Sequence, residues 1–171
     1  MWRGTLTTSE FLTKHLFVQN EVHILTYEPR HQPSFEALNR EWIEKYFAME
    51  PPDYDILQNP GEHILKKGGN IFMASCNGRI VGTVALKAVG EQTFELTKMA
   101  VNEEFQGKKI GRALAETAIA WAKGSGAKKI VLYSNTMLGS AMALYFKLGF
   151  KEIPVDGPYK RTNIKMEFVI S

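Results

Sequence analysis

Two glycines, three basic side chains and a glutamine fall within the seven residues Gln106-Gly107-Lys108-Lys109-Ile110-Gly111-Arg112. Set between a strand and the first turn of a helix, such a segment aims unpaired backbone N–H groups at one spot, where the helix dipole also favours negative charge. With lysines and an arginine beside those amides, the natural ligand is a phosphate or pyrophosphate. An ordinary strand-to-helix turn with solvated lysines accounts for the loop alone equally well. The loop lacks the glycine spacing and Lys-Ser/Thr ending of a nucleoside triphosphate loop, and the three glycines of the dinucleotide fingerprint.

Other reactive side chains are sparse. His15, His23, His31 and His63 show no paired metal-ligand spacing, and the single cysteine, Cys76, forms neither an internal disulfide nor a cysteine metal site. No metal is expected. Cys76 reads as a small apolar residue at a strand end, in keeping with a reducing, cytoplasmic location. The 171 residues carry 44% hydrophobic and 23% charged side chains and a net charge of +3, the balance of one soluble globular domain. The basic residues are scattered rather than gathered in a stripe with aromatics, which argues against nucleic acid as a partner. No apolar run reaches the roughly 20 residues of a membrane span, and the N-terminus lacks a secretory signal.

The elements that must position the loop follow from periodicity. Val22 to Tyr27 alternates as a strand, and Pro33 followed by Phe35, Leu38, Trp42 and Tyr46 marks a helix. Pro51-Pro52-Asp53 breaks that helix, and Ile56 to Lys66 reads as a second helix or an irregular connection. Three hairpin-linked strands come next: Ile71 to Ser75, a turn at Asn77-Gly78, Ile80 to Ala88, a turn at Gly90-Glu91-Gln92, and Thr93 to Val101. The period then changes. Ile110, Ala113, Leu114, Ala118, Trp121 and Ala122 share one helical face that ends at Gly124. A buried strand from Lys129 to Ser134 follows, and a right-handed crossover makes it the parallel neighbour of the strand ending at Val101. A helix with Ala141, Leu144, Tyr145 and Leu148 closes at Gly149, and Ile164, Met166, Phe168 and Ile170 alternate as a last strand. Phe11, Leu12, Leu16 and Phe17 suggest a short helix in an otherwise unassigned extension, residues 1–20.

Glu95-Leu96-Thr97-Lys98-Met99-Ala100-Val101, then Gln106 to Arg112, then a strand, then Ala141-x-x-Leu144-Tyr145-x-x-x-Gly149-Phe150 resembles the core of the Gcn5-related N-acetyltransferase (GNAT) superfamily. The resemblance implies an α/β (α+β) fold over one domain, residues 1–171: a mixed, mainly antiparallel central sheet with a splayed parallel strand pair and flanking helices. It implies an acyltransferase that moves an acetyl group from acetyl-coenzyme A to a primary amine of a small molecule, amino-acid-like compound or peptide, by direct attack in a ternary complex. The alternative is a catalytically silent acyl-coenzyme A sensor, which would keep the loop but need neither Glu95 nor Tyr145. A homodimer is left open.

By the same resemblance, the cofactor site comprises Met99, Ala100 and Val101, whose strand edge pairs with the pantetheine amides, and the loop Gln106, Gly107, Lys108, Lys109, Ile110, Gly111 and Arg112, whose amides hold the pyrophosphate. Lys109 stands where the family usually has its first glycine, and offers its N–H there if its φ is negative. Glu95 aligns with a strand glutamate that acts as general base in some members, against the bland reading of a solvent-face carboxylate. Tyr145 aligns with the tyrosine that protonates the coenzyme A sulfur. Leu138 occupies the position of a common family asparagine, for which Asn135 is a substitute. Trp42, Tyr46, Phe47, Glu41, Glu44, Tyr159, Arg161 and Asn163 lie where the family shapes its acceptor pocket.

Overall fold

The computed structural model describes residues 21–171; the expected helix around Phe11 to Phe17 lies outside them. The described chain builds one seven-stranded sheet in the order β1-β2-β3-β4-β5-β7-β6. Its strands are β1 (Val22–Thr26), β2 (Asn70–Cys76), β3 (Arg79–Gly90), β4 (Thr93–Val101), β5 (Lys129–Ser134), β6 (Lys151–Ile153) and β7 (Ile164–Val169). Every neighbouring pair is antiparallel except β4 and β5. The α-helices are α1 (Gln32–Tyr46), α2 (Pro51–Gln58), α3 (Pro60–His63), α4 (Ile110–Gly124) and α5 (Gly139–Leu148).

Alternation along the central strands divides the core between the two faces. Phe72, Ala74 and Cys76 of β2 pack with Leu114 and Ala118 of α4 and with Met142 and Tyr145 of α5. Ile71 and Met73 point the other way, against Phe35 of α1 and Ile56 and Leu57 of α2. Both helical layers thus bury an apolar stripe on one twisted sheet. Asn77 and Gly78 take φ of +51° and +78°, the left-handed pair of a two-residue hairpin turn.

Three local details sharpen the expected picture. Pro51 and Pro52 do not only end α1; they open α2, because the first helical positions need no donor N–H. The helix α4 ends at Gly124 as expected, although the glycine that takes the left-handed φ, +78°, is Gly126, two residues later. Lys151–Ile153 forms β6, too short for periodicity to reveal, on the outer side of β7.

Between β4 and β5 the sheet opens. Their ladder covers only Thr93–Glu95 against Lys129–Val131, although β4 continues to Val101 and β5 to Ser134. Thr83 faces Ala100 while Ala85 faces Thr97, so one residue of β3, Val84, stands opposite two of β4, Lys98 and Met99. Lys98 takes φ +51° at this bulge. A bulge bends its strand and sharpens its twist, which turns β4 away from β5 just beyond Glu95.

The bulge is tied to α2. The Lys98 ammonium, 2% exposed, donates to Asp53 Oδ1 at 2.6 Å, and Asp53 is fully buried. Asp53 also accepts the Glu50 N–H on Oδ2 at 2.9 Å, as part of the box that starts α2. Removing one partner from a buried pair leaves an uncompensated charge. Asp53→Ala is therefore expected to lower the unfolding free energy by about 3–5 kcal/mol in denaturant titration, with part recovered by adding Lys98→Met. An Asp53→Ala loss well under about 1 kcal/mol would show that the pair does not hold the bulge.

Candidate functional site

The opening between β4 and β5 continues into a pocket of about 790 Å³ that reaches the N-terminus of α4. Of the residues expected in the site, Glu95, Met99, Ala100, Val101, Gln106, Gly107, Lys109, Ile110, Gly111, Arg112, Asn135 and Tyr145 line this single space. Lys108 does not line it; its ammonium lies 4.8 Å from the centre of the Phe105 ring. Of the expected acceptor-side residues, Trp42, Tyr46, Phe47, Tyr159 and Arg161 line the pocket, whereas Glu41, Glu44 and Asn163 do not.

Glu95 belongs to the last paired position before the strands part, opposite Val131. It is not a solvent-face residue, for only 4% of it is exposed. Burial raises its carboxyl above the ordinary 4.5, opposed by the charges of Lys87 and Lys98 and by a hydrogen bond from Thr97. A buried carboxyl at a pocket wall, displaced toward neutral pH, is poised to take up a proton.

Beyond Glu95 the β5-facing edge of β4 has no strand partner, so its backbone groups need another. The Gln106 side-chain amide donates to the Val101 carbonyl at 3.2 Å and occupies part of that edge. Between β4 and α4 the chain makes a short turn over Glu103–Phe105, held by Asn102 Oδ1 accepting the Glu104 N–H at 3.1 Å. Gly107 then takes φ +75° and Lys109 takes φ +62°. The negative φ set as a condition at Lys109 is not met: as N-cap of α4 it adopts the left-handed geometry a glycine would. The first bond of α4 runs from the Ala113 N–H to the Lys109 carbonyl, 3.1 Å, so the amides of Ile110, Gly111 and Arg112 precede the hydrogen-bonded ladder. A Cβ on Gly111 would stand 3.8 Å from Val101 and Leu144 side-chain atoms, which leaves room for a methyl group and little more. The Arg112 Nε donates to Glu116 at 2.7 Å, aligning its guanidinium along α4.

Tyr145 projects from α5 with its ring 5.9 Å from that of Phe150. Burial raises its phenol, which stays protonated throughout the physiological range. No described group pairs with its hydroxyl, yet no side-chain nitrogen or oxygen among the described residues is both enclosed and unpaired. The hydroxyl therefore opens on the pocket. Asn135 is committed differently: it donates to the Arg161 carbonyl at 2.8 Å and accepts the Met137 N–H at 3.0 Å, shaping the turn before α5, whose N-cap Leu138 lacks a polar side chain.

The main feature not anticipated is the charged cluster beside Glu95. Asp53 accepts bidentate bonds from Arg161, Nη1 to Oδ2 at 2.7 Å and Nη2 to Oδ1 at 2.8 Å, besides the bond from Lys98. Burial opposes its ionisation, but Arg161, Lys98 and the Glu50 amide outweigh this and hold its carboxyl below 3.8. Burial pulls the Lys98 ammonium down while Asp53 supports its charge. The two partners pull in different directions because Asp53 has two cations and Lys98 only one anion in contact. The short charge-assisted bond between them favours the ionised pair. Among the described residues, no group of histidine, cysteine and carboxylate side chains is arranged to hold a metal, and no helix is long and apolar enough to cross a membrane.

Comparison with known proteins agrees with this architecture. The model of the acetyltransferase (GNAT) family matches residues 34–150. N-acetyltransferase 8 of Mus musculus is 29% identical over 91 residues, 50% of this chain and 40% of that protein. The chain thus spans about two fifths of the length of that curated relative. An acetyltransferase of the GNAT family from Staphylococcus aureus superposes with a TM-score of 0.82 at 22% identity, over 88% of this chain and 100% of that one. The PaiA N-acetyltransferase from Thermoplasma acidophilum, crystallised with coenzyme A, gives 0.71 at 19% identity, over 88% and 99%. These structural likenesses establish the fold.

Two substitutions test the local physics. Lys109→Gly is expected to raise the unfolding free energy by about 0.5–1 kcal/mol, since the left-handed conformation costs a non-glycine residue about 1–2 kcal/mol and glycine's looser unfolded chain returns part of that. A loss of stability would show that the lysine side chain holds the turn. For Glu95 the sign runs opposite to a paired carboxylate: its folded-state value is raised, so the folded protein loses stability as pH climbs from the ordinary glutamate value through the raised one. Glu95→Gln should increase the melting temperature at pH 8, and the gain should vanish toward pH 4. An equal gain at both pH values would contradict the assignment.

Proposed function

We propose that this chain, which belongs to the acetyltransferase (GNAT) family, transfers an acetyl group from acetyl-coenzyme A to a primary amine by direct attack within a ternary complex. The observation that carries the reading is that one pocket joins a buried carboxyl, an unpartnered strand edge, the N-terminus of a helix and an unpaired phenol. The site fits the cofactor in kind. An extended chain of amides suits the open edge of β4, and a pyrophosphate suits the amides of α4 with the glycines before and within its first turn. The coenzyme A held by the superposable PaiA protein accords with this.

When bound, acetyl-coenzyme A supplies the activated acetyl thioester. Met99, Ala100 and Val101 would align its pantetheine arm, and Gln106 to Arg112 its pyrophosphate. Glu95, directly or through water, takes the proton from the acceptor ammonium, so that the amine nitrogen attacks the carbonyl carbon. A β4 amide near Met99 donates to the oxygen as negative charge develops there. The carbon–sulfur bond breaks as the Tyr145 hydroxyl gives its proton to the departing sulfur, and the nitrogen, cationic after attack, gives up its second proton to solvent, from which the phenol is reprotonated. A phenol kept protonated by burial is a donor at every working pH.

Release of free thiol in the presence of amine acceptors tests this. Tyr145→Phe is expected to lower kcat by at least about 10²-fold while leaving coenzyme A affinity nearly unchanged, because a group used only in the transition state is lost. Glu95→Gln should be slow at neutral pH and recover as pH rises, when the amine loses its proton unaided. Coenzyme A binding without thiol release for any amine would point instead to a silent sensor. Full activity in both variants would assign the chemistry to other groups.

A further inference from the structure

We propose that the pocket carries a second recognition site, in which Arg161 and Lys98 bind a carboxylate on the acceptor, so that the acceptor is an amino-acid-like compound with its amine at Glu95; this rests on the acetyl-transfer reading above. The cluster around Asp53 has two sides. Both cations, Lys98 and Arg161, line the pocket, whereas Asp53 and Glu50, the carboxylates that pair with them, do not. Asp53 is saturated: Oδ1 accepts from Lys98 and Arg161, and Oδ2 from Arg161 and the Glu50 amide. Glu50 is taken up as well, by Arg161 Nη1 at 3.1 Å and by the Lys160 and Arg161 amides at 3.0 and 3.5 Å.

The cations are not saturated. Three of the five guanidinium N–H groups are used by Asp53 and Glu50, which leaves the Nε–H and one Nη2–H with no acceptor among the described residues. Lys98 uses one of its three ammonium hydrogens, on Asp53. The bidentate grip of Asp53 fixes the guanidinium plane, and Tyr159 supports both charges through its ring, 4.6 Å from Arg161 Cζ and 5.1 Å from Lys98 Nζ. Their side chains are 11% and 2% exposed, so little water competes for the remaining donors. Fixed, desolvated cations with spare donors are suited to a carboxylate.

The bulge of β4 sets the distance from the reacting amine. In a regular strand, residues three apart point to opposite faces. The left-handed turn at Lys98 breaks that alternation: Leu96 and Met99, also three apart, both pack into the core under α4, which leaves Glu95 and Lys98 on the opposite face, where Lys98 meets Asp53 of α2. An ammonium at Glu95 and a carboxylate at Lys98 and Arg161 can therefore belong to one small molecule. A second ammonium in place of the carboxylate would meet two cations, so diamines are disfavoured, and a neutral amide gains no charge-assisted bond.

The test compares matched acceptors on the unmodified protein with acetyl-coenzyme A: a panel of free amino acids, their carboxamides, and aliphatic diamines, read as thiol release. At least one free acid should exceed its carboxamide by about 10–100-fold in kcat/KM, the size of a charge-assisted hydrogen bond, and diamines should be poorer still. Arg161→Lys keeps the charge but not the fork; it should shrink the preference for the acid over its carboxamide several-fold. Carboxamides or diamines equal to the acids, or a variant that slows acid and carboxamide alike, would overturn the proposal while leaving acetyl transfer intact. No turnover with any amine would remove both.

Discussion

The parting of β4 from β5 immediately after Glu95 is the constraint on which the rest of the molecule depends. A parallel pair inside a sheet ordinarily satisfies its backbone groups all along its length, and an unpartnered edge in the interior is unfavourable unless something else supplies donors and acceptors. Here three residue pairs zip the strands together, and the remaining edge faces a cavity. The same divergence leaves a gap that α4 enters by its N-terminus, so the open edge and the helix amides address one space. Burial of Leu114, Ala118 and Ala122 fixes α4 against the sheet and holds that relation rigid.

The divergence has its own cost, which the ion cluster offsets. Lys98 occupies a left-handed conformation and brings an ammonium into an almost dry environment. Both features are unfavourable in isolation, and both are stabilised by one carboxylate, Asp53, delivered by the helix that Pro51 and Pro52 start. Asp53 in turn orients Arg161 from the segment before β7. Three distant stretches of chain are thus held together at the point where the strands separate, beside the carboxyl of Glu95. The arrangement exchanges stability for a positioned site, as buried charges at functional places commonly do.

Much of this was legible beforehand because it is local. The strand-turn-helix around Gln106 to Arg112, the hairpin at Asn77-Gly78, the crossover from β4 to β5 and the helix carrying Tyr145 all follow from spacing and turn chemistry within short windows. The cluster did not follow, since Asp53 lies 45 residues from Lys98 and 108 from Arg161, and nothing in either neighbourhood names the partner. One signal was present: Glu95 and Lys98 are the two charged residues of β4, at a separation that regular alternation would send to opposite faces. That conflict is resolved only by a bulge. The left-handed φ of Lys109 was not legible either, as the demand of the turn overrides the preference of its side chain, and β6 is too short to carry any period.

Amide hydrogen exchange with and without saturating coenzyme A measures the central claim most directly, because the open edge of β4 and the first turn of α4 are the groups proposed to hold the cofactor. The account predicts slowed exchange confined chiefly to Met99, Val101 and the amides from Gly107 to Arg112, with the β2–β3 hairpin unchanged. Cofactor binding that protects other amides and leaves these unaltered would contradict it.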